Sequence, residues 1–114
     1  MSLLSEIHAI LRPVGVPVET GLFSDKAPDE YIVVVPLTEN YDYFADNQPQ
    51  VDIHEARISI FTKGNYLSIK NAVVKAFLAA EFTVTNRQYI GYEADTGYHH
   101  YNVDVANYYE TEDI

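Results

Sequence analysis

A chain of 114 residues with 17 acidic and 7 basic side chains has a formal net charge of −10. That charge repels a phosphate backbone and argues against a sequence-reading nucleic-acid binder. There is no cysteine, so disulfides and thiolate chemistry are excluded, and a single domain of this length buries roughly 65% of its unfolded surface without staples.

The start, MSLLSEIHAILRP, has no basic leader and no long apolar core. The expectation is therefore a soluble protein of the cytoplasm, without secretion signal or membrane span. Ser2 to Arg12 predicts a first helix, with Ser2 as cap, an apolar stripe of Leu3, Ile7, Ile10 and Leu11, and Pro13 as its stop. His8 lies off that stripe, as a solvated histidine would. Val14 to Leu22 carries Pro17 and two glycines, which limits any strand there to a short edge. Phe23 to Glu30 reads as a polar turn.

Tyr31 to Leu37, YIVVVPL, is a continuous β-branched run. Such a run predicts a strand covered on both faces, by helix on one side and by protein or a neighbouring subunit on the other. Thr38 to Gln50 follows, with Glu39, Asp42, Asp46, Tyr41, Tyr43 and Phe44 and no basic side chain. A connection of that length is typically functional or disordered, and its aromatics invite a partner. Two readings stand: a projecting contact loop, or a flap folded over its own domain. In VDIHEARISIF the apolar alternation slips phase, because Val51 and Ile53 are on one parity and Ala56, Ile58 and Ile60 on the other. A β-bulge or bend near His54 and Glu55 would repair it. The upstream part would then leave the main sheet and join the loop in a protruding hairpin arm with Tyr31 to Leu37, at about 38–55.

From Ala56 to Val84 the period changes from two to about 3.6. Ile58 and Ile60 alternate with Arg57 and Ser59, Gly64 permits a sharp exit, and Asn65 caps a helix with Tyr66, Ile69, Val73, Phe77 and Ala80 on one stripe. Leu67, Val74 and Leu78 widen that stripe. Phe82 to Ala94 alternates again, Asp95-Thr96-Gly97 turns the chain, and Tyr98 to Tyr108 returns with Tyr101, Val103 and Val105 on one face. The acidic end frays over 110–114, leaving Tyr108 and Tyr109 to pack on a neighbour. The order α-β-β-β-α-β-β predicts one α+β domain, a mainly antiparallel sheet with two helices packed on it.

The residues offer no catalytic constellation, metal site or cofactor site. His99 and His100 are adjacent in a strand and point to opposite faces, so they do not chelate one ion together. Glu93 and Asp95 flank a turn, where carboxylates stay solvated. Thr62-Lys63-Gly64-Asn65 lacks the glycines and the Lys-Ser or Lys-Thr of a phosphate loop. A hydrolase would need His54, His99 or His100 to converge with acids. The expectation is a protein without enzymatic activity. Ten tyrosines without a tryptophan signify either high β content or an extensive protein interface.

The Ile-rich strand, Thr62-Lys63-Gly64-Asn65-Tyr66, the amphipathic helix and the final aromatic and valine hairpin resemble small tail-completion or tail-terminator proteins of long-tailed bacteriophages and prophages. The element order matches over about Ser2 to Tyr108, and the residue-level likeness is confined to about Ile58 to Tyr66. The resemblance implies a head-tail joining protein made in the host cytoplasm. Copies form a ring, typically hexameric, that caps the tail tube in the virion and meets the head connector. The acidic stretch from Thr38 to Gln50 departs from the family, so contacts there do not carry over. Ring formation needs two different patches that meet head to tail. Tyr41, Tyr43, Phe44, Val51, Ile53, Tyr108 and Tyr109 are the candidate interface residues. The alternative is a small acidic binding or inhibitory module that presents Tyr41, Tyr43 and Phe44 to a basic protein.

Overall fold

Two helices lie against one face of a five-stranded sheet of order β1-β2-β3-β5-β4. The computed structural model describes residues 2–20, 27–45 and 48–110, with side chains described outside 42–50. The elements are α1 (Leu3–Leu11), β1 (Val18–Thr20), β2 (Glu30–Ala45), β3 (Gln48–Thr62), α2 (Tyr66–Ala79), β4 (Thr83–Glu93) and β5 (Tyr98–Glu110). The fold is α+β in the expected order. Its sheet is antiparallel except that β1 runs parallel to β2. No helix among the described residues is long and apolar enough to cross a membrane.

Ser2 Oγ accepts from the Ser5 N–H at 3.2 Å and starts α1. Leu3, Ile7 and Leu11 are buried on its inner face. After Pro13 the chain reverses at Gly15, whose φ of +80° suits a residue without a Cβ. His8 is not a free surface histidine: its Nε2 lies 2.9 Å from Thr20 Oγ1, tying α1 to the edge strand.

Asn65 Oδ1 accepts from the Leu67 N–H at 3.0 Å and starts α2, which buries Ile69, Val73 and Phe77. The helix ends with Glu81 in the left-handed region, φ +64°. The Phe82 N–H reaches back to the Phe77 carbonyl and the Glu81 N–H to that of Leu78, each at 3.0 Å. The two phenylalanine rings meet edge on at 5.3 Å, which completes a Schellman stop. Leu67 and Leu78 do not widen the buried stripe; they are 50% and 56% exposed.

The core is the layer between helices and sheet: Ile32 and Val34 of β2, Ile58 and Ile60 of β3, and Val103 and Val105 of β5, with the buried faces of α1 and α2. Register explains the layer, since Ile32 faces Ile60 and Ile58 faces both Val34 and Val103. Each apolar position of one strand thus meets its counterpart on the next.

Three expectations about β2 and β3 change. First, 38–50 is not a structureless connection. The two strands pair from Glu30↔Thr62 out to Ala45↔Gln48, so this stretch is the distal half of a long hairpin. Second, the bulge is not at His54 or Glu55. β3 pairs with β5 without interruption from Val51 to Thr62, and the irregularity lies in β2 between Pro36 and Thr38. The phase slip is real but unrepaired: Asp52 and His54 take the helix-facing parity, and Val51 and Ile53 the opposite one. Third, the segment before Ala56 does not leave the sheet, because Val51 through Glu55 stay paired with Glu110 through Ala106. Glu110 is accordingly in a strand rather than in a frayed tail, and 111–114 lie outside the described residues.

Candidate assembly surfaces

The sheet face opposite the helices has no second layer among the described residues. Its β-branched, polar and aromatic side chains cover one another instead. Tyr31 stacks on Phe61 at 4.8 Å and Phe61 on His100 at 4.2 Å, a row across β2, β3 and β5. Tyr98 packs edge on against Tyr31 at 5.4 Å, and Lys63 Nζ lies 5.0 Å from the Tyr98 ring centre. One pair further along, Ser59 Oγ donates to Asn102 Oδ1 at 2.9 Å, and His100 Nε2 lies 2.9 Å from the same oxygen. Burial pushes the His100 pKa below its usual 6.5, more than the Asn102 hydrogen bond raises it.

The next pair is ionic. Arg57 donates from Nε and one terminal nitrogen to the two oxygens of Asp104, at 2.9 and 3.1 Å, and the Asp104 carboxylate is buried. This fork is the arginine–carboxylate geometry that a lysine does not reproduce. The hydrogen bond to Asp104 holds the arginine further above its already high pKa. Beyond it Glu55 accepts from Thr85 at 2.7 Å and Thr38 at 3.4 Å, spanning strands over the small Ala106. Sequence reading missed both groups. Their signal was a lone charge on the polar parity of two apolar strands, without a register to pair them.

On the helix face, an open groove of about 880 Å³ lies between the start of α1 and the root of the long hairpin, with Leu3, Leu4, Leu37 and His54 in its walls. Beside it His54 Nε2 is 2.7 Å from Asp52 and Nδ1 is 4.0 Å from Glu39, so both ring nitrogens face carboxylates. Among the described residues no hydroxyl is hydrogen-bonded to this histidine. Tyr109 donates to Glu6 at 2.9 Å, and burial followed by that carboxylate pushes its phenol pKa up. Among the described residues no group of three or more His, Asp or Glu side chains is placed to hold a metal ion. His99 and His100 do separate to opposite faces: His99 lies among Tyr66, Tyr89 and Tyr92, and His100 stacks on Phe61.

The candidate interface residues do not form one patch. Tyr41 and Tyr109 share the helix face through Asp52, with Tyr41 57% exposed and Tyr109 half-buried. Ile53 and Tyr108 are paired on the opposite face, with Tyr108 58% exposed. Val51, half-buried, falls on that second face too. The side chains of Tyr43 and Phe44 lie outside the described residues. The apolar run Tyr31 to Leu37 is likewise divided, because Ile32, Val33 and Val34 are buried while Val35 and Leu37 are exposed. Val33, on the face opposite the helices, is buried although no second layer covers that face among the described residues.

No protein-family model and no curated protein matches the sequence. Solved structures do share its fold. One is a chain from the virion of a native gene transfer agent particle, with TM-score 0.57 and 14% identity over 96% of this chain and 95% of that one. A second solved chain has TM-score 0.50 and 15% identity over 96% of this chain and 87% of its own length. The protein is therefore similar, nearly end to end, to a chain of a virion particle, and at these identities the likeness establishes a common fold.

Proposed function

We propose that this protein is a structural subunit of a phage-like virion and that it completes the tail. Copies form a ring at the end of the tail tube, meet the head connector, and act by assembly without catalysis. The observation that carries the reading is the nearly end-to-end likeness in fold to a chain of a gene transfer agent virion. The uncovered strand edges and the exposed apolar side chains of β2, α2 and β4 support it, since a self-contained domain gains nothing from them. A ring whose subunits each carry a charge of −10 lets DNA pass without offering it binding sites.

Electron microscopy of the purified protein, with and without tail tubes, tests this. The expected result is a ring of density at one end of the tubes; bare tube ends with a protein that stays monomeric at every concentration overturn it. The exposure of Tyr41 beside Glu39 favours a second reading, an acidic module that binds a basic partner. A concentration-independent monomer that captures such a partner supports that reading instead.

A further inference from the structure

Most exposed large apolar side chains fall at the two opposite edges of the sheet. Val35, Leu37 and Tyr41 are on β2 and Tyr89, Ile90 and Tyr92 on β4, while Leu67 and Leu78 are on α2, whose Tyr66 packs against Tyr89 of β4 at 4.9 Å. β1 covers β2 only at Ile32–Val34. Among the described residues no strand lies on the side of β2 away from β3 from Val35 to Ala45, and β4, of 11 residues, offers an open edge of the same length. The edges are also opposite in charge. The β2 run contains Glu39 and Asp42 and no base, whereas α2 and β4 carry Lys70, Lys75 and Arg87, three of the chain's 7 basic residues, against one acid, Glu93.

We infer that these edges meet between copies of this chain: the outer edge of β2 in one copy lies along β4 and the flank of α2 in the next. Strand addition supplies main-chain hydrogen bonds, and the leucines and tyrosines of α2 and β4 receive the β2 side chains. In a chain of net charge −10, this flank is where an acidic edge finds bases. The contact joins unlike surfaces, so it repeats head to tail and either closes a ring or grows a filament. Register shifts after Val84 and after Tyr89 bracket a short regular stretch of β4. They limit the added ladder and discourage indiscriminate edge pairing.

The inference rests on the ring reading for its biological meaning, but its test needs no tail. With no native cysteine, Glu39→Cys and Arg87→Cys each install a unique thiol at an exposed position. After treatment with a short bismaleimide, an equal mixture of the two variants is expected to give one linked dimer. The doubly substituted chain should give a ladder of dimers, trimers and higher species, and either single variant alone should stay unlinked. Failure of the mixture to link at millimolar protein overturns the contact, as does equal linking by a single variant alone, which signifies a like-to-like interface. As a second measurement, Glu39→Lys and Arg87→Glu should each weaken self-association severalfold by sedimentation, and their mixture should associate better than either alone. Unchanged association in both sinks the charge argument. If linking fails while tubes are still capped, the contact is wrong and the ring reading stands. If linking succeeds while tubes stay bare, the tail reading falls and the contact stands.

Discussion

Arg57 and Asp104 place an ion pair on the sheet face opposite α1 and α2, with the carboxylate buried and the arginine partly exposed. Removing one partner leaves the other charge desolvated and unpaired, whereas removing both leaves two apolar strands in register. Arg57→Met is expected to cost about 2–3 kcal/mol in urea unfolding. Arg57→Met with Asp104→Leu should recover most of that loss. A double variant no more stable than the single one would show that the pair is not the reason for the cost. His100, two rows away, has a depressed pKa, so the folded chain binds fewer protons there than the unfolded chain. Its contribution to stability is therefore present above the ordinary histidine value and is lost as pH falls toward the folded pKa. Between about pH 7 and about pH 5 the wild type should lose stability, and His100→Phe, which keeps the stack on Phe61, should flatten that slope. Identical slopes by thermal unfolding would exclude His100 as the source.

The ends of α2 are the clearest case of local sequence deciding an element. Asn65 caps its start through the Leu67 N–H, and Asn65→Ala should cost about 1 kcal/mol. At the other end Glu81 adopts φ +64°, a conformation in which a Cβ is strained. Glu81→Gly should stabilise the protein by up to about 1 kcal/mol, read as a shift of the urea midpoint with unchanged slope. Destabilisation would mean that the Glu81 side chain contributes more than its backbone strain costs. The strand elements behave differently. Alternation located β3, but the bulge formed at Pro36–Thr38 in its partner. β3 is held on both sides and its ladder with β5 is unbroken, while β2 beyond Val34 is free on one side and absorbs the extra residue.

At the scale of the whole molecule, the long hairpin stretches a domain whose extents are 54 × 25 × 24 Å. Among the described residues, the buried cluster that joins helices to sheet contains none between Val34 and Ala56. Replacing 42–51 by Asn-Gly, to close the Tyr41↔Asp52 pair with a two-residue turn, should leave the melting temperature within about 5 °C of wild type. The shortened protein should no longer cap tail tubes or self-associate. A large drop in melting temperature would mean that the hairpin is part of the core rather than an assembly arm. Retained capping would relieve it of any role in assembly.

The amino-acid sequence by itself determined the element order, both helix starts, the turn at Asp95-Thr96-Gly97 and the helix-facing parity of Ile58, Ile60, Val103 and Val105. These depend on capping chemistry and on periods of 2 and 3.6, which are local properties of the chain. Only the tertiary structure decided that 38–45 and 48–50 form strand, that Arg57 meets Asp104, and that His54 sits between Asp52 and Glu39. Each of those facts depends on which strand lies beside which and in what register. Register is set by the sum of contacts across the sheet, and no window along one strand contains it.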